Sequence, residues 1–164
     1  MDNAKPLRVL GIDPGLRVAG YGCVTYARSN PRPALVEAGA IRLDTSQSIS
    51  HRLLQLWKDI TEIINDVSPD IVAVETVFSH ARQVGTAITM GHARGVILLA
   101  VEAAELPLVE LAPAEIKKSI TGNGRSTKEQ IQMAIAHLLG LKEVPEPPDV
   151  ADALAIAITG AMRN

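Results

Sequence analysis

Leu7-Arg8-Val9-Leu10-Gly11-Ile12-Asp13-Pro14-Gly15 decides how the chain is read. An apolar run climbs toward a core, ends on a carboxylate and turns at once on a Pro-Gly pair. Asp13 follows Ile12 directly, where a central strand would leave the core. A carboxylate held there on rigid backbone is costly unless something pairs with it. The question for the rest of the sequence is what converges on Asp13.

Downstream, Val18 to Tyr26 and Leu35 to Leu43 read as two more strands, separated by the turn-rich Ser29-Asn30-Pro31-Arg32-Pro33, so the opening predicts an antiparallel meander. Gly20 and Gly22 alternate with Tyr21 and leave one strand face bare, open to a helix or a ligand. From Ser50 the period becomes helical, with Leu53, Leu54, Trp57, Ile60, Ile63, Ile64 and Val67 on one stripe. Trp57 on that stripe is expected in the core. After Ser68-Pro69-Asp70, the run Ile71-Val72-Ala73-Val74-Glu75 is a second buried strand ending on an acid.

Residues 81–104 read as a long helix whose second half is apolar over more than one face. Such a helix is central to the core or supplies a partner interface. Leu106 to Leu111 reads as a strand, Pro113 to Ile120 as a helix, and Gly122-Asn123-Gly124 as a loop. A further helix spans Ser126 to Leu139, begun by Ser126 or Thr127 with Glu129. After the stiff Pro145-Glu146-Pro147-Pro148, the helix from Asp149 to Met162 is almost wholly apolar. No internal repeat or linker divides the chain, which reads as one mixed α/β domain over residues 1–164.

Composition narrows the class. Hydrophobic residues are 47% and charged residues 21%, as in a soluble globular protein. The formal net charge of −2 means that any surface for a polyanion must be a local patch. The single cysteine, Cys23, excludes an intrachain disulfide and a cysteine zinc cluster, and its apolar setting reads as a core thiol in a reducing compartment. No signal peptide and no membrane span are read, so a cytoplasmic location is expected.

The acids carry the chemistry. Asp13 and Glu75 each end an apolar strand, and Asp149 and Asp152 stand three apart on one helical face. Asp152 is hemmed in by apolar neighbours with no base near it in sequence. Singly, Asp149 reads as an N-cap and Asp13 as a turn residue. Together they point to a divalent cation, which relieves the repulsion among clustered carboxylates and prefers oxygen ligands. Two ions ~4 Å apart activate water and stabilise a leaving oxygen in phosphodiester cleavage. There is no nucleophilic triad, Walker loop or zinc spacing.

Bases supply a substrate side. His80, Arg82, His92 and Arg94 lie in an acid-free stretch, and Lys117, Lys118, Arg125 and Lys128 form a second cluster. For each of them a solvated helix face is the plainer reading. The Gly122-Asn123-Gly124-Arg125 loop offers backbone amides beside positive charge, which suits a phosphate. Phe78, the only phenylalanine, suits base stacking or a wedge as well as it suits a core position.

Four segments, Gly11-Ile12-Asp13-Pro14-Gly15, Ala73-Val74-Glu75-Thr76-Val77-Phe78, Gly91-His92-Ala93-Arg94-Gly95 and Asp149-Val150-Ala151-Asp152-Ala153-Leu154-Ala155-Ile156-Ala157, together closely resemble the RuvC family of bacterial Holliday-junction resolvases, from Val9 to about Thr159. The resemblance implies a ribonuclease-H-like fold with a five-stranded mixed sheet in order 32145 flanked by helices. It implies a homodimer that cuts the crossing strands of a four-way DNA junction and acts with the RuvA and RuvB branch-migration proteins. It makes Asp13, Glu75, Asp149 and Asp152 the acidic quartet for Mg2+, two ions per site, with Mn2+ able to substitute. It makes Lys117 and Lys128 DNA contacts, Phe78 a residue at the junction centre and the long helix the dimer helix. Arg125 is a charge outside the family's pattern, and DNA contacts from a basic tail are not expected.

Two other readings are weighed. An actin-like or sugar-kinase lobe shares the Gly-x-Asp-x-Gly turn, but that reading expects two lobes and a Thr or Ser after the second glycine, whereas here Leu16 follows and 164 residues accommodate one lobe. A non-catalytic junction binder would have no use for four assembled carboxylates.

Overall fold

The structure, a computed structural model, describes residues 5–76 and 84–164. Strands β1 (Leu7–Asp13), β2 (Val18–Ala27) and β3 (Asn30–Arg42) form an antiparallel meander, followed by helix α1 (Ile49–Val67), strand β4 (Ile71–Glu75), helix α2 (Val84–Ala103) and strand β5 (Leu108–Leu111). Helices α3 (Pro113–Thr121), α4 (Lys128–Leu139) and α5 (Pro148–Arg163) complete the order. β4 runs parallel to β1, and β5 parallel to β4. The sheet order is β3-β2-β1-β4-β5, the expected 32145.

Side chains alternate across each strand, so β1 feeds two cores at once. Leu10 and Ile12 join Val72, Val74, Leu56, Ile60 and Ile97 beneath α1 and α2. Val9 joins Ala73, Val24, Ile116, Ile135, Leu154 and Ile158 beneath α3, α4 and α5. The bare face read from the glycines is where α5 lies. A Cβ at Gly11 would overlap the backbone of Ala153 and Ala157, and one at Gly20 would overlap the backbone of Asp149. Cys23 is buried, as expected.

Several boundaries differ from the sequence reading. Pro31, Arg32 and Pro33 belong to β3 rather than to a turn. β3 is an edge strand, the place in a sheet where proline is tolerated because N–H groups on its outer side have no ladder partner to lose. β5 begins at Leu108, and the carbonyl of Pro107 accepts from the Val72 N–H at 3.0 Å. α4 begins at Lys128 behind a capping box of Thr127 with Gln130, not Glu129.

Two members of the α1 stripe are corrected. Leu54 is 51% exposed and Trp57 36% exposed, while Leu56 is fully buried. At 100° per residue Trp57 lies roughly 70° from the centre of the buried arc, at its border and not in the core. α2 carries the excess apolar surface that was read from its sequence. Ala93, Ile97, Ala100 and Val101 are buried, whereas Val84, Ile88 and Leu99 are each more than half exposed. α2 is long and apolar enough to cross a membrane. Even so, Arg94 at mid-helix is tied into the sheet.

Candidate active site

β1 and β4 are parallel neighbours with Ile12 opposite Val74, so Asp13 and Glu75 leave the sheet side by side at the carboxyl ends of the two strands. Carboxyl ends of parallel strands are where open α/β sheets place their ligands. The close approach of α5 to Gly20 sets its first turn over the end of β1, because Gly20 pairs with Asp13. Asp149 and Asp152 therefore arrive above Asp13. Pro148 at the first helical position fixes the start of α5, and Asp149 lies in the first turn rather than at the N-cap, which is Pro147.

A cavity of about 310 Å3 opens between these elements. Asp13, Glu75 and Asp152 line it together with Lys117 from α3 and Lys128 from α4, over an apolar floor of Ile116, Ile131 and Ala155. Asp149 joins Asp13, Asp152 and Lys128 in an adjoining groove. Of the sequence-derived bases, Lys117 and Lys128 enter the cavity; Lys118 and Arg125 are exposed and are not among its lining residues. Phe78, His80 and Arg82 lie outside the described residues.

The electrostatics are those of crowded acid. Burial pushes the Asp13 carboxyl up to about 8, with Asp152, Asp149 and Glu75 each adding to the rise and Lys128 opposing it. Glu75 is also raised, first by burial and then by Asp152, against the pull of Lys117. Lys128 donates to Asp152, with Nζ 2.9 Å from Oδ2, and is held above the usual lysine range by that bond and by the surrounding acids. Asp152, at 29% side-chain exposure, is thus less enclosed than its apolar neighbours suggest, and it has a basic partner from another helix.

Among the described residues, no three acidic, His or Cys side chains are drawn close enough to hold an ion between them. The carboxylates face a shared space, with a lysine ammonium on one of them. The donor set is oxygen only, and the proton affinity of Asp13 is raised by the acids around it. Both properties suit a hard divalent cation, which would relieve the repulsion.

Some roles were not read from the sequence. Three amides of the Gly122–Arg125 loop are already engaged: the Gly122, Asn123 and Arg125 N–H groups donate to the Lys118 carbonyl, Thr121 Oγ1 and Asn123 Oδ1. Short polar side chains there satisfy the turn from within. Arg94 is not offered to substrate. Its Nε donates to the Glu75 carbonyl at 3.3 Å, and its guanidinium pairs with Glu110 on β5. The signal that could have found it is the one that singled out Asp152, a charge among small and apolar residues on a packed helix.

Known proteins are similar to this chain in sequence and in fold. The family model described as Crossover junction endodeoxyribonuclease RuvC matches residues 9–160. The enzyme of that name from Rhodopirellula baltica is 45% identical over 152 residues, covering 93% of this chain and 84% of the relative. Its counterpart from Caldicellulosiruptor saccharolyticus is 44% identical over 93% of this chain and 90% of the relative. The structure of T. thermophilus RuvC in complex with Holliday junction substrate superposes with a TM-score of 0.87 at 32% identity, covering 96% of this chain and 94% of that one. With its ribonuclease-H-like sheet and four acids gathered at the ends of β1, β4 and α5, the chain belongs to the RuvC family of crossover junction endodeoxyribonucleases.

Proposed function

We propose that the chain is a structure-selective endonuclease that resolves Holliday junctions in recombination and repair by paired, symmetric nicks. The observation that carries this reading is the convergence of Asp13, Glu75 and Asp152 on one cavity with Lys117 and Lys128 on its wall. It is supported by the family membership and by the junction-bound relative.

Asp13, Glu75, Asp149 and Asp152 would hold Mg2+, two ions per site, with Mn2+ able to substitute. When bound, the ions supply an activated water and charge to stabilise the leaving oxygen. The protein's own part is positional. Asp13 and Glu75 sit on strand ends that cannot drift, so the geometry is set in advance by the sheet. Lys117 and Lys128 offset the negative charge of the incoming phosphate. The apolar floor of Ile116 and Ile131 limits water behind it. Cleavage of the bond from phosphorus to the 3′ oxygen leaves a 5′-phosphate and a 3′-hydroxyl, which a ligase can rejoin.

A homodimer would place two such sites on the two crossing strands. The exposed Val84, Ile88 and Leu99 on α2 are the surface that supports it. RuvA and RuvB as partners and a cytoplasmic location belong to the same reading. It is tested by comparing nicking of a mobile four-way junction with nicking of linear duplex, with and without Mg2+. Symmetric nicks confined to the junction and to Mg2+ are expected; equal cutting of both DNAs, or cutting of neither, would refute the reading.

A further inference from the structure

The acidic cavity is continuous with a larger groove that the reaction as described leaves unused. Of about 860 Å3, this groove shares Asp13, Lys128 and Asp152 with the cavity and runs away from Lys117, along the turn between β1 and β2. Its far part is lined by Arg17, Arg52, Thr45 and Thr86. It therefore has an acidic end at the strand tips and a cationic end beyond Pro14.

Arg52 is the informative residue. It is half-buried on α1, and its Nη1 donates to the Leu16 carbonyl at 2.8 Å, pinning the guanidinium against the turn. Its Nε is buried with no hydrogen-bond partner. Among the described residues, none of the ion pairs includes Arg52 or Arg17. A fixed, partly buried guanidinium with no acid to balance it is costly, unless an anion arrives from outside. Arg17, exposed at the same turn, adds a second charge, and the hydroxyls of Thr45 and Thr86 on the groove wall can donate to phosphate oxygens. The turn that lines the groove is closed tightly on itself, since a Cβ at Gly15 would overlap the Val18 carbonyl.

We propose that this groove carries the cleaved DNA strand onward from the scissile phosphate, with Arg17 and Arg52 bound to its flanking backbone phosphates. The strand would then lie between two cationic walls, Lys117 and Lys128 at the cut and Arg17 and Arg52 beyond it. This assignment rests on the endonuclease reading above and adds a polarity to it: the acidic tips are the midpoint of the strand's path, not its end.

The test is binding of a fluorescein-labelled four-way junction in EDTA across a salt series, with Arg17→Ala, Arg17→Lys, Arg52→Gln and Lys117→Ala beside the wild-type chain. Removing one cation from a phosphate lowers the slope of log K against log salt by ~0.7 to 0.9. Arg17→Ala and Arg52→Gln are expected to show that decrease, and Arg17→Lys to restore the slope. Arg17 is exposed, so its variants decide the matter even if Arg52→Gln fails to fold. Wild-type slopes in Arg17→Ala, with a reduced slope in Lys117→Ala, would overturn the groove and leave the endonuclease reading standing. A wild-type chain that cuts no junction in Mg2+ would instead refute the reading on which the groove rests.

Discussion

Lys128 Nζ stands 2.9 Å from Asp152 Oδ2, joining the helix that opens behind Thr127 to the helix that opens at Pro148. The pair is partly solvated, with side-chain exposures of 55% and 29%, so its own contribution to stability is small. Its meaning is electrostatic: an ammonium stands on one member of an acidic cluster whose charges otherwise repel.

Replacing Lys128 by Ala removes the charge that opposes the rise of Asp13 and one cation from the substrate wall. Single-turnover junction cleavage is expected to fall at least ~10-fold. The Mg2+ concentration for half-maximal rate is not expected to rise, because a competing positive charge has gone. A parallel rise in that concentration would contradict this role.

Asp13 links stability to pH. Its carboxyl is raised from an ordinary value of 3.8 to about 8, so between these limits the folded chain binds a proton that the unfolded chain has released. In EDTA the stabilisation tied to that proton is complete below 3.8 and is lost as pH rises through about 8. Asp13→Asn, which cannot ionise, is expected to have the higher Tm at pH 8 in EDTA and to gain less there from Mg2+. In a chain of this size each ~1 kcal/mol shifts Tm by roughly 2–4 °C, so differential scanning calorimetry resolves the effect. A Tm lowered at pH 8 would contradict it.

The strand-end acids were legible in the sequence because each follows an unbroken apolar run, a pattern that polar surface rarely produces. The meander and the bare glycine face followed from the residues and the sheet order from the resemblance, whereas the register of Asp13 with Gly20 is seen only in the fold. What was not legible is what depends on long-range approach. Lys128 reaches Asp152 across 24 residues of sequence, and no local period records that meeting. The Gly122–Arg125 loop reads as a phosphate cradle until the fold shows Thr121 and Asn123 side chains taking the Asn123 and Arg125 amides. Trp57 failed for a geometric reason, since the stripe is an arc and this residue stands at its edge.

Arg94 holds the Glu75 carbonyl and pairs with Glu110, so it positions the acid without touching the cavity. Arg94→Ala is expected to reduce the cleavage rate ~10-fold or more while junction affinity stays within about twofold, since small displacements of a catalytic group have large rate effects. Arg94→Lys should recover only part of the rate, because an ammonium lacks the fork that reaches both partners. Gel-shift and single-turnover assays on the same proteins separate the two quantities. Affinity falling in step with rate would mean that Arg94 acts elsewhere.

Lys117 lowers the proton affinity of Glu75, whose carboxyl is already raised by burial and by Asp152. Lys117→Ala should shift the acidic limb of the cleavage-rate profile to higher pH, as well as slowing the plateau. An unshifted limb would separate Lys117 from Glu75.

The central claim, that the gathered acids cut the junction, is tested most directly by Asp13→Asn on a mobile four-way junction in Mg2+. The variant is expected to bind the junction as the wild-type chain does and to cleave it at less than ~1% of the wild-type rate. Cleavage by Asp13→Asn at a rate near that of the wild type would contradict the account.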